Sequence, residues 1–149
     1  IISNNKDAKI EAFRNRLNIM DKMRRYNDMI FEIQEKLSLS DFQSVNLYDE
    51  FNLKLAISYI KIKIFSEAKN LFNDIIEITS NKAIKAEAYY WLGYISLTND
   101  FDLEFAIEYF NFVTETSRSS DFSKRVKSVK AKVPIAPTIP AKPGRAFLL

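Results

Sequence analysis

The sequence predicts an all-α protein on the basis of three observations. The chain has 149 residues with only two Gly and four Pro, and all four Pro lie beyond residue 133, so residues 1–132 contain almost no helix breakers. In that region apolar residues recur mostly at steps of three and four, the spacing of one face of an α-helix. Part of the sequence also recurs after about 38 residues, as expected of repeated helical units.

The composition argues against an ordinary enzyme. The chain contains no His and no Cys, which removes thiol nucleophiles, His-based acid–base catalysis and zinc sites built from these residues. Two Gly are too few for a glycine-rich phosphate loop. The apolar runs are also far shorter than the roughly 20 residues that span a bilayer. We therefore expect a non-catalytic binding module without a metal ion, a cofactor or a membrane span.

Residues 6–37 form the first predicted helical segment. Apolar residues follow a helical spacing from Ile10 to Leu37. The segment is either one long helix or two helices joined by a tight turn near residues 23–26, because no Gly or Pro marks a break. A polar loop that contains candidate capping residues follows at 38–41.

Five further helices are predicted, each from a polar start followed by apolar periodicity. The acidic residues near the start of the fifth helix and the basic residues of the last suit the two ends of the helix dipole. The predicted starts and ends are Asn46 to Lys61, Ser66 to Thr79, Lys82 to Thr98, Asp102 to Thr116, and residues 119–121 to Lys132. Residues 1–132 are thus expected to form one helical domain, and residues 133–149 an extended tail.

Two stretches of the chain are similar to each other. FSEAKNLFNDII at 65–76 aligns with LEFAIEYFNFV at 103–113. In both stretches an Ala is followed four residues later by a Phe. Upstream, residues 55–56 (Leu-Ala) align with residues 92–93 (Leu-Gly). A fainter copy lies about 39 residues before Phe65, so three related units are predicted.

These features resemble the tetratricopeptide repeat, a helix–turn–helix unit with small residues where its two helices cross. Ala56 and Ala68 match such positions in the first clear copy, and Gly93 and Ala106 match them in the second. Gly inside a helix costs about 1 kcal/mol relative to Ala, so Gly93 is expected at a close helix crossing. The resemblance implies an α-solenoid with clear repeats at about 47–79 and 84–117, a degenerate pair at 6–37 and a capping helix at 120–132.

The copies depart from the family pattern at several positions. Ile75 and Val113 replace a small residue, Ser96 replaces the usual Tyr, and the second copy has one extra residue in its turn. Another kind of helical repeat and an irregular helical bundle therefore stay open as alternatives.

In tetratricopeptide repeats the first helix of each unit lines a groove that binds a partner protein. The resemblance thus implies a scaffold or adaptor that binds an apolar or amphipathic segment of another protein within a multiprotein assembly. Tyr89 occupies the position at which the family often buries an aromatic residue, so core packing does not explain Trp91, and Trp91 is expected to line the groove. The alternative is that Trp91 packs on the N-terminal helix or on the C-terminal segment. The implied groove residues are Glu50, Leu53, Lys54, Ile57, Lys61, Glu87, Tyr90, Trp91, Tyr94 and Leu97.

The C-terminal segment carries a second pattern, a Pro at every third residue, which is the period of polyproline II. Such a segment is either a stiff linker or a docking strip, bound by another protein or by the groove of a second copy. The residues expected to dock are Pro134, Pro137, Pro140, Pro143 and Phe147.

An uneven charge distribution supports an alternative function. Residues 41–117 carry 12 acidic and 6 basic side chains, whereas residues 118–149 carry 1 acidic and 8 basic. A nucleic-acid-binding helical repeat could use the basic last helix, although the scarcity of aromatic residues beside its Lys and Arg argues against it. The start without Met, the lack of Cys and the Pro-rich tail slightly favour a bacterial periplasm or cell envelope over the cytoplasm.

Overall fold

The computed structural model describes residues 2–132 of the chain and confirms the all-α prediction. Within these residues there are seven α-helices, a short 3₁₀ helix at Ser40–Phe42 and no strand. The α-helices are α1 (Ile2–Lys22), α2 (Tyr26–Leu37), α3 (Val45–Lys61), α4 (Phe65–Ile78), α5 (Lys82–Thr98), α6 (Leu103–Thr116) and α7 (Asp121–Lys132).

The first helical segment is two helices, not one, because the backbone turns at Arg24. Arg24 has a φ of 56°, the left-handed conformation that commonly ends a helix. The Arg25 N–H donates to the Met20 carbonyl at 2.9 Å and so satisfies an end of α1. Lys63 and Phe101 also have positive φ values, of 65° and 54°. These three turns lie 39 and 38 residues apart, so the sequence repeat corresponds to a repeated backbone turn.

Two predicted helix starts are wrong. Ser44, not Asn46, caps α3, since the Ser44 hydroxyl accepts from the Leu47 N–H at 3.4 Å. Ser66 does not cap α4, which begins one residue earlier and has Ile64 at its N-cap without a side-chain hydrogen bond. The left-handed turn at Lys63 leads the chain directly into α4, which explains the earlier start.

The other predicted starts agree with the structure. Asn81 caps α5 and accepts from two backbone N–H groups through its side-chain oxygen, at 2.9 and 3.2 Å. Asp102 caps α6 by accepting from the Phe105 N–H at 3.1 Å. At α7 the Ser120 hydroxyl accepts from the Ser123 N–H at 3.1 Å. Each of these bonds satisfies a backbone donor that the first helical turn leaves without a partner.

Every helix packs against its neighbour in the chain, α3 also contacts α5, and α5 also contacts α7. The buried apolar side chains form three successive clusters. The first joins α1, α2 and α3 and includes Phe13, Ile33 and Phe51. The remaining two, which join α3 to α5 and α5 to α7, contain Ala56, Phe72, Leu92 and Ile95, and Ala106, Phe110, Val113 and Val126, respectively. This succession of small cores is typical of stacked helical units.

Gly93 lies at a close crossing of α5 and α6, as the sequence predicts. A Cβ atom at this position would be 2.5 Å from Cε1 of Phe110 and 2.7 Å from its Cδ1. The Phe110 ring is buried between the two helices. Any side chain at position 93 would therefore have to displace a core aromatic ring.

Candidate partner-binding groove

Helix α5 presents three aromatic side chains next to one another on one side. The ring centroids of Tyr90 and Trp91 are 5.3 Å apart, and those of Trp91 and Tyr94 are 5.5 Å apart. Both pairs have an edge-to-face geometry, which is favourable for aromatic rings. Tyr90 and Trp91 are half-buried, whereas Tyr94 is 37% exposed. The three rings therefore combine a packed base with an accessible end.

Helix α7 forms one wall beside these rings. The Tyr90 ring lies 5.1 Å from the Phe122 ring, and the Arg125 guanidinium lies 4.7 Å above Phe122. Neither Phe122 nor Arg125 is among the groove residues expected from the sequence. From the sequence, their helix is expected to be a capping helix with a basic surface, and Phe122 is the one aromatic residue in it that could indicate a contact with α5.

Helix α3 forms the opposite wall. Its Ile57 and Lys54 side chains are both half-buried. Ile57 packs against the same cluster of buried residues as Trp91. The aromatic rings of α5 thus lie between α3 and α7. We call this candidate binding surface the α5 groove and define it by Lys54, Ile57, Glu87, Tyr90, Trp91, Tyr94, Phe122 and Arg125.

Glu87 is the one carboxylate among these groove residues. The Trp91 indole N–H donates to Glu87 Oε2 at 3.2 Å. Burial raises the pKa of the Glu87 carboxyl above its ordinary value, although this hydrogen bond and the positive charges of Arg125 and Lys54 oppose the rise. Within the part of the chain that the structure describes, Glu87 forms no ion pair within 4 Å.

The other four residues expected in the groove have different surroundings. Glu50 accepts two hydrogen bonds from the Arg14 guanidinium, both at 2.7 Å, and thereby ties α3 to α1. Leu53 is buried in the second core cluster. Leu97 packs against the third, and Lys61 is exposed at the end of α3.

Trp91 packs in part against the interior of the described helices. Its half-buried ring contacts the core shared by α3, α4 and α5. The Pro-rich tail, with Pro134, Pro137, Pro140, Pro143 and Phe147, lies outside the described residues, as does any contact it makes with Trp91.

Residues 2–132 contain neither a candidate metal site nor a candidate membrane span. No three acidic side chains there are placed to hold a metal ion. No helix in that range combines the length and the hydropathy needed to cross a membrane.

No protein-family model matches the chain, and no curated protein matches it significantly.

Proposed function

We propose that the protein is a non-catalytic scaffold that binds a segment of another protein in the α5 groove. The observation that carries this proposal is the contiguous set of aromatic rings on α5, with Tyr94 exposed at its edge. Aromatic residues with polar tips are typical anchors of protein interfaces. Because the groove floor is apolar and its walls carry Lys54 and Arg125, an amphipathic segment is the ligand that suits it best.

The proposal includes a tetratricopeptide-like stacking of the helices. Three helical hairpins, α1–α2, α3–α4 and α5–α6, each close with a left-handed residue, and these residues recur at intervals of 39 and 38. The contacts of α3 with α5 and of α5 with α7 support a layer of first helices that together line a groove. A preformed surface of this kind reduces the ordering cost of binding.

Affinity capture from the native source tests this function. The wild-type protein and a Tyr94→Ala variant serve as baits, and the bound proteins are quantified by mass spectrometry. Tyr48→Ala is the matched control, since Tyr48 is 46% exposed near the start of α3 and lies outside the groove. We expect a protein that the wild type and Tyr48→Ala capture and that Tyr94→Ala captures less. Equal capture by all three baits would contradict the proposal.

The alternative, nucleic-acid binding through α7, is tested by titrating the wild type and its variants with RNA or DNA at several salt concentrations. Lys124 and Lys127 are exposed on this helix, but Arg125 lies over Phe122 and the Lys130 ammonium donates to Asn111. Binding of RNA or DNA that weakens steeply with salt would favour the alternative. It would also be lost in a Lys124→Gln/Lys127→Gln variant and retained in Tyr94→Ala.

A further inference from the structure

The α5 groove has the surface chemistry that binds polyproline II segments. Such segments dock on grooves lined by aromatic side chains. The rings of Tyr90, Trp91 and Tyr94 follow one another along α5 at centroid distances of 5.3 and 5.5 Å. Tyr94 is exposed, and Tyr90 and Trp91 are half-buried, so the described helices leave part of this aromatic row uncovered.

The same chain carries a segment of the matching kind. Pro134, Pro137, Pro140 and Pro143 recur at every third residue, so in a polyproline II conformation they lie along one edge. Residues 133–141 contain no charged side chain and can enter an apolar groove without the cost of burying a charge. A polyproline II segment is also preformed, which lowers the entropic cost of its binding.

This segment begins at one wall of the groove. It follows directly on α7, which ends at Lys132 and whose Phe122 ring lies 5.1 Å from the Tyr90 ring. The 12 residues of α7 span about 18 Å, a length that about six residues of polyproline II also cover. A tail that turns back after α7 therefore reaches the level of Phe122 after about six residues, which brings Pro137 and Pro140 to the aromatic rings.

The charges of the tail and the groove are compatible. Glu87 is the one carboxylate among the groove residues, and it accepts a hydrogen bond from the Trp91 indole at the aromatic row. Lys142 and Arg145 flank the fourth Pro and are the only cationic side chains of residues 133–149. Glu87 is therefore the groove residue that attracts the cations of the tail.

Attachment to α7 favours this segment over any free one. A short linker gives a tethered segment an effective concentration in the millimolar range. Even a contact with a dissociation constant of about 1 mM would then keep the groove covered for much of the time. The tail of a second copy reaches such concentrations only in very concentrated solutions, so binding within one chain is favoured.

We propose that residues 133–149 dock in the α5 groove of their own chain and compete there with the partner segment. Two Pro of the tail pack on the aromatic rings, and its cations face Glu87. The tail has no acidic side chain to offer Lys54 and Arg125, so a partner segment that carries carboxylates displaces it. This displacement rests on the proposed function, whereas the docking of the tail does not.

Nitroxide quenching of Trp91 fluorescence in the full chain tests the docking. The chain has one Trp and no Cys, so Thr138→Cys provides a single labelling site next to Pro137, off the edge that the Pro residues form. A nitroxide quenches Trp only near contact, and the same variant with a diamagnetic label is the reference. We expect the nitroxide to remove more than about half of the Trp91 emission, equally from about 1 to about 100 μM protein, because the contact lies within one chain.

Two substitutions on each side of the contact make the test specific. Pro137→Asp/Pro140→Asp in the labelled chain should restore most of the emission, and so should Tyr94→Ala, each compared with its own diamagnetic reference. Tyr48→Ala is the matched control and should leave the quenching unchanged, since Tyr48 is exposed near the start of α3 and lies outside the groove. Circular dichroism checks that every variant folds.

Equal emission with the two labels would overturn the proposal. So would quenching that rises with protein concentration, which would place the tail on a second copy. Quenching that the two Pro substitutions leave intact would overturn it as well, because it would reflect the tether alone. None of these results depends on the capture of a partner protein, so failure of the docking and failure of the proposed function are distinguishable.

Discussion

At the scale of single residues, Gly93 shows how one missing side chain determines a helix crossing. Gly93→Ala improves helix propensity by about 1 kcal/mol, but the new Cβ would meet the Phe110 ring at 2.5 Å, and overpacking of a core costs about 1–3 kcal/mol. We expect the clash to outweigh the propensity and the free energy of unfolding to fall, as measured by urea denaturation.

The matched test of that clash is the same substitution in a Phe110→Leu background. Leu is smaller than Phe and has no ring, so it leaves room for the Cβ that the Gly93→Ala substitution adds. Gly93→Ala should therefore cost less in this background, or stabilise the chain. Such non-additivity between contacting residues isolates the contact. If Gly93→Ala raises the free energy of unfolding of the otherwise wild-type protein, this account of the helix crossing is contradicted.

Glu87 is a residue whose burial makes stability depend on pH. Its pKa is raised in the folded protein, chiefly by burial, so the folded state binds the proton more tightly than the unfolded chain. The free energy of unfolding therefore decreases as pH rises through the carboxyl range, and the penalty is fully present above the raised pKa. We expect Glu87→Gln to be more stable than the wild type at pH 7.

The gain from Glu87→Gln should shrink as pH falls below the ordinary glutamate pKa of about 4.5, because both states of the wild type are then protonated. Urea denaturation at pH 7 and pH 4 measures the difference. Glu115→Gln, on the exposed side of α6, is the control and should change stability by less than about 0.5 kcal/mol at either pH. A pH-independent gain for Glu87→Gln would show that burial of the charge is not its cause.

At the scale of elements, the left-handed turns are the features that repeat most regularly. A non-glycine residue in this conformation costs about 1–2 kcal/mol, so Lys63→Gly should relieve strain and raise the free energy of unfolding by up to about 1 kcal/mol. Lys61→Gly, two residues earlier and inside α3, should lower it by about 1 kcal/mol. Thermal or urea denaturation compares the two variants, and effects of the same sign would contradict the role of the turn.

Much of the helical arrangement could be predicted because its signals are local. Asp102 and Ser120 cap helices by bonding N–H groups within three residues, and such patterns are visible in sequence. The choice of Ser44 over Asn46 as the cap of α3 is not visible in the sequence, because both residues are competent caps and lie two positions apart. Packing of α3 against the first core, which buries Leu47, fixes the register that selects Ser44.

At the scale of the whole molecule, the candidate groove could be predicted only in part. The aromatic residues of α5 follow from a short periodic pattern, so Tyr90, Trp91 and Tyr94 could be grouped in advance. The position of α7 beside these residues could not be predicted, because Tyr90 and Phe122 are 32 residues apart in the sequence and no helical spacing relates them. The ion pair of Glu50 with Arg14 could not be predicted for the same reason, since Arg14 belongs to a different hairpin.

The central claim is that a partner protein binds across the aromatic rings of α5. Trp91 is the only Trp in the chain, so its fluorescence reports directly on that groove. The most direct measurement is a titration of the wild type, Tyr94→Ala and Tyr48→Ala with the purified partner recovered by affinity capture. We predict that Trp91 emission changes on binding and that Tyr94→Ala raises the dissociation constant by roughly fivefold or more, the effect of losing about 1 kcal/mol, while Tyr48→Ala leaves it unchanged. Equal dissociation constants for all three proteins, with no change in Trp91 emission, would contradict the claim.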